Sequence, residues 1–571
     1  MPLSILVRGM LQRAAAVRLP PLHPLVVALG AAALLVLFYN GQLWSAVPGW
    51  WPGRSVADIA FMASIGFVLC AAFYLVIQAF AFPRLLKPVL ATLFLTAAGV
   101  SYFASAYGVM MDRGMIANIL ETDTHEAGDL MSLSFLLHMA VYGLLPAALA
   151  MAIPLRCHSL WREALQRAGA VAASLLVIAA SAAFFYQDYA VLVRSHREVR
   201  FMINPSAAIY GAFRYATAVP SAMASEFKTI AEYAERVPAL DGRKTVMVLV
   251  VGETARADHF SLNGYDRETT PLLAVRDVVS FGEVRSCATS TAESVPCMFS
   301  DLGRSGYSPM EAASRENLLD IAVRAGVDVL WLENNSSCKG VCARVPVKTA
   351  WEFSDPAYCS GGECLDDVLA DQLKFALARN ENDLLVVFHQ IGSHGPAYYK
   401  RSTPDYNAFG PICETSEIQS CSQEQIVNTY DNSIRYTDHI LADIIDTLTR
   451  ASDRFDTALL YVSDHGESLG EGGLYLHGLP YMFAPDVQKH VPMVFWASPE
   501  YRDAVSLDDG CLARGAGTEY SHDNLFHSVL GLLDIRTDAY RSDLDIFAPC
   551  RPAARTAALT GKPGTGGSMV R

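Results

Sequence analysis

Residues 458–467 read ALLYVSDHGE, an apolar run of strand type that ends on Asp464 and His465. Upstream, VMVLVVGE (246–253) ends in the same way on Glu253, and LLVVFHQ (384–390) ends between His389 and His394. Continuous apolar runs of this length read as strands buried on both faces. In open α/β sheets, ligands gather outside the carboxyl ends of such strands. A lone Asp at a strand end is usually a turn former or helix cap. Three strand ends that each carry carboxylate or imidazole point instead to a divalent metal such as zinc.

Working outward, VDVLWL (327–332) and VPMVFW (491–496) add two more β-rich runs, separated by helix-like stretches at 315–325, 366–379 and 424–450. This alternation predicts an α/β sandwich with a largely parallel sheet over 241–551. The Gly, Pro, Ala and Thr content of 552–571 predicts a disordered tail. There is no internal repeat and no dinucleotide fingerprint, and nothing in the chain points to nucleic acid.

The rest of the chain is of another kind. Apolar residues make up 52% and charged residues 18%, with a mean hydropathy of +0.24, which exceeds what an ordinary soluble chain shows. Runs long enough to cross a hydrocarbon core lie at 23–44, 58–82, 88–109, 132–154 and 168–187, predicting a five-helix transmembrane domain over 1–190. No small-residue cleavage site marks the first run as a signal peptide. Residues 191–240 mix aromatic, basic and small side chains, the pattern of a membrane-surface linker with amphipathic helices.

Arg8, Arg13, Arg18, Arg84, Lys87, Arg156, Arg162 and Arg167 fall in the N-terminal arm and alternate loops, which places the N-terminus inside and everything after the fifth span outside. Cysteine usage agrees with that orientation. Of twelve cysteines, ten follow the last span, in neighbouring couples Cys287/Cys297, Cys338/Cys342, Cys359/Cys364 and Cys413/Cys421, with Cys511 and Cys550 left over. Their spacing lacks paired CxxC geometry, so five disulfides are expected rather than zinc clusters.

A zinc site that transfers a group needs a nucleophile. SCATSTAESVPCMFS (286–300) is a hydroxyl-rich loop leading towards a helix, where a hydroxyl beside a cation would have its pKa lowered. Spacing alone does not rank Ser286, Thr289, Ser290, Thr291 and Ser294, and each also reads as an N-cap. In GMIANILETDTHEAGD (114–129), Asn118, Thr122 and Glu126 recur every four residues and would share one helix face. That face reads either as solvated surface or as a grip on a zwitterionic headgroup, Glu126 pairing with the ammonium.

These motifs, with VGETARADHFSLNGYDRETTP (251–271), NNSSCKGV (334–341), HQIGSHGPAYYKR (389–401) and SDHGESLGEGGLYLHGLP (463–480), resemble the membrane-bound phosphoethanolamine transferases. That family lies in the alkaline-phosphatase superfamily, includes the lipid A-modifying and mobile colistin-resistance enzymes, and implies a periplasmic domain of alkaline-phosphatase/sulfatase type. The resemblance covers nearly the whole chain. It implies Thr291 as catalytic nucleophile and Glu253, Thr291, Asp464 and His465 as ligands of one tight zinc. It also implies His394 and His477 as substrate-phosphate residues with room for a second zinc, and Ser336, Lys339, Asn118, Thr122 and Glu126 as headgroup residues.

The activity implied is transfer of phosphoethanolamine from phosphatidylethanolamine to a lipid A phosphate through a threonine intermediate. Its setting would be a multi-pass monomer in a bacterial inner membrane, among membrane lipids, with polymyxin resistance as the phenotype. Core sugar or another glycan is the alternative acceptor, and a glycerol-phosphate transferase of the lipoteichoic acid synthase type is the alternative enzyme. With a net charge of −14 there is no broad basic surface for lipopolysaccharide, so acceptor binding is expected to use local cations such as Arg267, Lys339, Lys400 and Arg401.

Overall fold

A computed structural model of the chain describes residues 20–51, 55–122, 124–223, 226–238, 242–353, 356–360 and 363–560. It divides into two compact units, one of residues 1–111 and 131–210 and one of residues 112–130 and 211–571.

The first unit is helical. Its elements are α1 (Pro24–Phe38), α2 (Gly41–Trp50), α3 (Val56–Ala79) and α4 (Leu86–Tyr107), and then, after α5 (Arg113–Glu121) and α6 (Thr124–Leu130) of the second unit, α7 (Leu133–Ala152) and α8 (Leu160–Phe184). Four of these, α3, α4, α7 and α8, are long and apolar enough to cross a membrane, and α1 with α2 forms a bent pair that passes the same test. They stand at the five predicted positions, with two differences.

The first predicted span is not straight, because α1 and α2 meet at 59°. Asn40 at the break donates to Leu35 O and Asn204 O, and Asn204 donates back to Tyr39 O and Ala97 O, so buried amides replace the lost helical bonds. The last helix starts at Leu160, not 168. Beyond it come α9 (Tyr186–Ser195), α10 (Val199–Met202) and α11 (Ser206–Met223). The expected linker over 191–240 does contain helices, but Asn204 is buried among α1 and α4 rather than surface-lying, and the unit boundary falls at 210.

The second unit is an α/β domain on an eight-stranded sheet. Its strands are β1 (Lys244–Gly252), β2 (Val279–Arg285), β3 (Asp328–Glu333), β4 (Val347–Thr349), β5 (Leu384–His389), β6 (Phe455–Ser463), β7 (His490–Ala497) and β8 (Tyr520–Ser521), in the order β8-β2-β7-β6-β1-β5-β3-β4. Only β7 runs against the others. The central strands β1, β5 and β6 are buried on both faces, which is why they read as unbroken apolar runs. Helices α12 (Thr291–Met298), α13 (Pro309–Ala313), α14 (Gln423–Ala451) and α15 (Ala553–Leu559) belong to this unit.

Five disulfides join Cys287–Cys297, Cys338–Cys342, Cys359–Cys364, Cys413–Cys421 and Cys511–Cys550, the neighbouring couples expected, while Cys70 and Cys157 are free. The expectation of disorder from 552 fails as far as 560. In α15, Leu559 is fully buried in the core and Arg555 pairs with Asp534 at 2.5 Å, so composition was outweighed by two anchoring side chains. Residues 561–571 lie outside the described residues.

Candidate metal and nucleophile centre

Because β1 and β6 are adjacent and parallel, with Gly252 opposite Ser463, the residues that follow them emerge side by side. Glu253 comes from β1 and Asp464 and His465 from β6, and all three are fully or almost fully buried. The loop after β5 closes over them at Gly392, whose φ is +49° and where a Cβ would lie 2.9 Å from Glu253 O, so only glycine suits that position.

Thr291 is the first residue of α12. Its Oγ1 donates to Glu253 Oε2 at 3.1 Å and lies 3.3 Å from His465 Nε2. His465 Nε2 in turn lies 3.4 Å from Glu253 Oε1 and 3.3 Å from Asp464 Oδ2.

Proton bookkeeping shows what this cluster lacks. His465 Nδ1 faces Gly466 O at 2.9 Å, and a carbonyl only accepts, so Nδ1 carries the proton and Nε2 presents a lone pair. Glu253 Oε1 and Asp464 Oδ2 are buried without a hydrogen-bond partner among the described residues. Three lone-pair atoms thus lie within 4.8 Å of one another. Burial, followed by the facing Asp464 charge, raises the Glu253 carboxyl well above its usual range, while burial also raises Asp464 and pushes the His465 imidazole well down. Two carboxylates, one imidazole and one hydroxyl around a common point fit a four-coordinate zinc.

Beside this cluster, His477 lies with ring centroids 4.3 Å from His465 and 5.7 Å from His394. His394 and His477 form a second candidate ligand group together with Glu253. Burial first, then His477, Arg401, His465 and Lys339, hold the His394 imidazole well below its usual range. Lys339, in the Cys338–Cys342 loop, donates to Ser336 Oγ at 3.0 Å and lies 3.5 Å from Glu121 Oε2.

Several partners escaped the sequence reading. Asn335 donates to Glu253 Oε2 at 2.8 Å, and Glu467 accepts from His477 Nδ1 and from Tyr398 OH, each at 3.0 Å. Glu467 is legible only as the fifth residue of the SDHGE run. His389, at a strand end as expected, faces Glu333 at 2.8 Å and is not among the candidate ligand groups.

Residues 112–130 fold with this unit, Arg113 pairing with Glu293 of α12 at 2.8 Å. The single helix face expected for Asn118, Thr122 and Glu126 does not form, since α5 ends at Glu121 and α6 starts at Thr124. Thr122 leaves helical geometry and its hydroxyl caps Asn118 O at 2.7 Å, the local competition that ends helices at Thr. The side chain of Glu126 lies outside the described residues. The cations expected to serve an acceptor each have a carboxylate already: Arg267 with Asp431, Lys400 with Asp129, Arg401 with Glu363 and Lys339 with Glu121.

Residues 245–535 match the family model described as sulfatase, and residues 69–219 match the one described as phosphoethanolamine transferase EptA/EptB. The phosphoethanolamine transferase EptA of Escherichia coli strain K12 is 41% identical over 93% of this chain and 98% of its own length. The chain belongs to the phosphoethanolamine transferases. A second relative, the phosphatidylethanolamine transferase Mcr-1 of Escherichia coli, is 37% identical over 90% of this chain and 96% of its own. Among solved structures, the integral membrane protein lipooligosaccharide phosphoethanolamine transferase A of Neisseria meningitidis superposes with a TM-score of 0.90 at 38% identity, covering 93% of this chain and all of that one. This transferase therefore shares both its helical unit and its α/β unit with a full-length relative, within the alkaline-phosphatase superfamily.

Proposed function

We propose that this transferase takes phosphoethanolamine from phosphatidylethanolamine, carries it on Thr291 and delivers it to a lipid A phosphate. The observation that carries the reading is the cluster of unpaired acceptors around the Thr291 hydroxyl. Glu253, Asp464, His465 and Thr291 would hold the zinc, which when bound supplies positive charge that makes the threonine oxygen a better nucleophile and neutralises the phosphoryl oxygens.

In the first half-reaction Thr291 Oγ1 forms a bond to phosphorus as the bond to the diacylglycerol oxygen breaks. The hydroxyl proton has Glu253 Oε2 as its acceptor at 3.1 Å, and diacylglycerol leaves as the alcohol, taking its proton from water. In the second, an oxygen of the acceptor phosphate displaces Oγ1, which regains its proton. Because α12 begins at Thr291, its free backbone N–H groups favour the negative charge that gathers there. Glu467 holds the Nδ1 proton of His477, so Nε2 offers a lone pair to a second zinc or, once protonated, a donor to phosphate. Ser336 and Lys339 form the remaining grip on the headgroup phosphate, and Asn118, Thr122 and Glu126 grip its ethanolamine.

The basic loops and the five disulfides support a cytoplasmic N-terminus and an α/β unit in the periplasm for this inner-membrane protein, which is taken to act as a monomer. Each transfer adds an ammonium to an anionic surface, so cationic peptides such as polymyxins bind less well. Mass analysis of lipid A from cells carrying the chain tests the reading. A phosphoethanolamine increment is expected with the natural sequence and none with Thr291→Ala, and an increment found only on core sugar would replace the acceptor.

A further inference from the structure

A cavity of about 560 Å³ lies within the α/β unit, bounded by α12, α13, the end of α5 and the Cys338–Cys342 loop. Its size falls in the roughly 300–1,000 Å³ range of small-molecule sites. Part of its lining is apolar and made of small side chains, Ala292 and Pro296 from α12, Pro309 and Ala312 from α13, and Ala343. The lining also includes Glu121, Tyr307, Glu316, Asn317, Lys339 and Arg344.

The lining decides what the cavity can take. Four of these side chains are charged, and a hydrocarbon tail laid against them would strip their water without replacing its hydrogen bonds. A fully charged ligand would in turn waste the apolar part of the lining. Tyr307 adds a separate observation, because its hydroxyl is buried with no hydrogen-bond partner among the described residues. Burying such a group unpaired is costly, so it marks a position where a ligand oxygen belongs. A ring with apolar faces and hydroxyl or amine edges matches this mixed lining.

The anionic end of the ligand is marked by Lys339. Its ammonium is almost buried and lies 3.5 Å from Glu121 Oε2, a long contact to a half-exposed carboxylate. Lys339 is also the lining residue whose charge bears on His394 beside the nucleophile centre. Glu121 thus occupies the place at which a phosphate on the ring would meet Lys339.

We propose that this cavity is the acceptor pocket, holding the hexosamine ring whose phosphate receives the transferred group, with Glu121 displaced from Lys339 as that phosphate enters. The assignment rests on the acceptor named under the proposed function. The pocket lies on the α13 side of α12, and Lys339, which grips the donor phosphate in the first half-reaction, meets the acceptor phosphate in the second, after diacylglycerol has left.

The test is a titration of full-length protein in detergent with glucosamine 1-phosphate, followed by calorimetry, with glucosamine as control. Ala312→Leu fills the cavity and is expected to weaken binding at least tenfold, Tyr307→Phe severalfold, and removal of the phosphate from the probe at least tenfold. Ala343→Leu, just after the Cys338–Cys342 loop, serves if Ala312→Leu does not fold, and is expected to act alike. Glu121→Gln is expected to tighten binding, since it removes the competing carboxylate. Binding that none of the cavity variants changes, or no binding by the natural protein at millimolar probe, overturns the pocket. Failure of the acceptor reading itself shows elsewhere, as donor cleavage in cells with no increment on lipid A.

Discussion

Two clusters of buried charge lie in the α/β unit, and they are built on opposite terms. Near its C-terminal end, Arg551 pairs with Asp545 and donates to Gly531 O at 2.6 Å, Arg555 pairs with Asp534 at 2.5 Å, and Asp545 also accepts from Tyr540 OH and Phe547 N. Two guanidinium groups answer two carboxylates. At the ends of β1 and β6, Glu253 and Asp464 face an imidazole lone pair, with no cation among them and two oxygens left without partners. The first cluster is closed and structural. In the second, negative charge and lone pairs converge without a protein cation, and such a donor set is suited to binding a metal cation.

Substitutions can break or sharpen that contrast. The largest effect is expected from Thr291→Ala. Transfer should fall at least about a thousandfold, as for other lost nucleophiles, with an unchanged melting temperature; a loss of stability of similar weight would class the site with the structural cluster. Next, Arg551→Met should cost about 3–5 kcal/mol in denaturant unfolding by stranding Asp545, while activity per folded molecule is kept.

His527, on the helix that supplies Gly531 O, sharpens the structural side. Burial lowers its imidazole to about 4. A depressed histidine stabilises the fold fully above its unfolded pKa of roughly 6.5 and loses that contribution as pH falls towards its folded value. Unfolding at pH 5 should therefore show a loss of about 2 kcal/mol relative to pH 7 that His527→Gln removes, and a slope unchanged in the variant would refute it.

The smallest effect is the most discriminating. In metal-free protein, Glu253→Gln relieves like-charge repulsion and should raise stability by about 1 kcal/mol, whereas Asp545→Asn should lower it. Adding zinc at 100 times its dissociation constant should then raise the natural protein by about 2.7 kcal/mol and Glu253→Gln much less. If both substitutions destabilise alike, the two clusters are of one kind.

Much of the site was legible because strand-end chemistry is local. Glu253, Asp464 and His465 each follow an apolar run directly, and two neighbouring parallel strands necessarily bring them together. Thr291 was one of five hydroxyls in its loop, and spacing carries no information about which one meets ligands arriving from β1 and β6. Asn335 and Glu467 were missed for the same reason, since an isolated amide or carboxylate shows no partner until the chain folds. The Asn118, Thr122 and Glu126 periodicity misled because a four-residue repeat assumes an unbroken helix, and Thr122 ends it. The bend at Asn40 was invisible in hydropathy because Asn204, 164 residues away, supplies the bonds that permit it.

By itself the sequence determined the class of each region: apolar length set where the membrane-type helices lie, unbroken β-rich runs set a sheet covered on both faces, and cysteine clustering after the last span called for disulfides without fixing their connectivity. These properties are local, and burial acts on them one segment at a time. Only the tertiary structure decided which hydroxyl meets the ligands, which carboxylates are paired and which stay open, and that residues 112–130 fold with the α/β unit. Those outcomes depend on a few ångströms between groups far apart in the chain, and no local pattern encodes such distances.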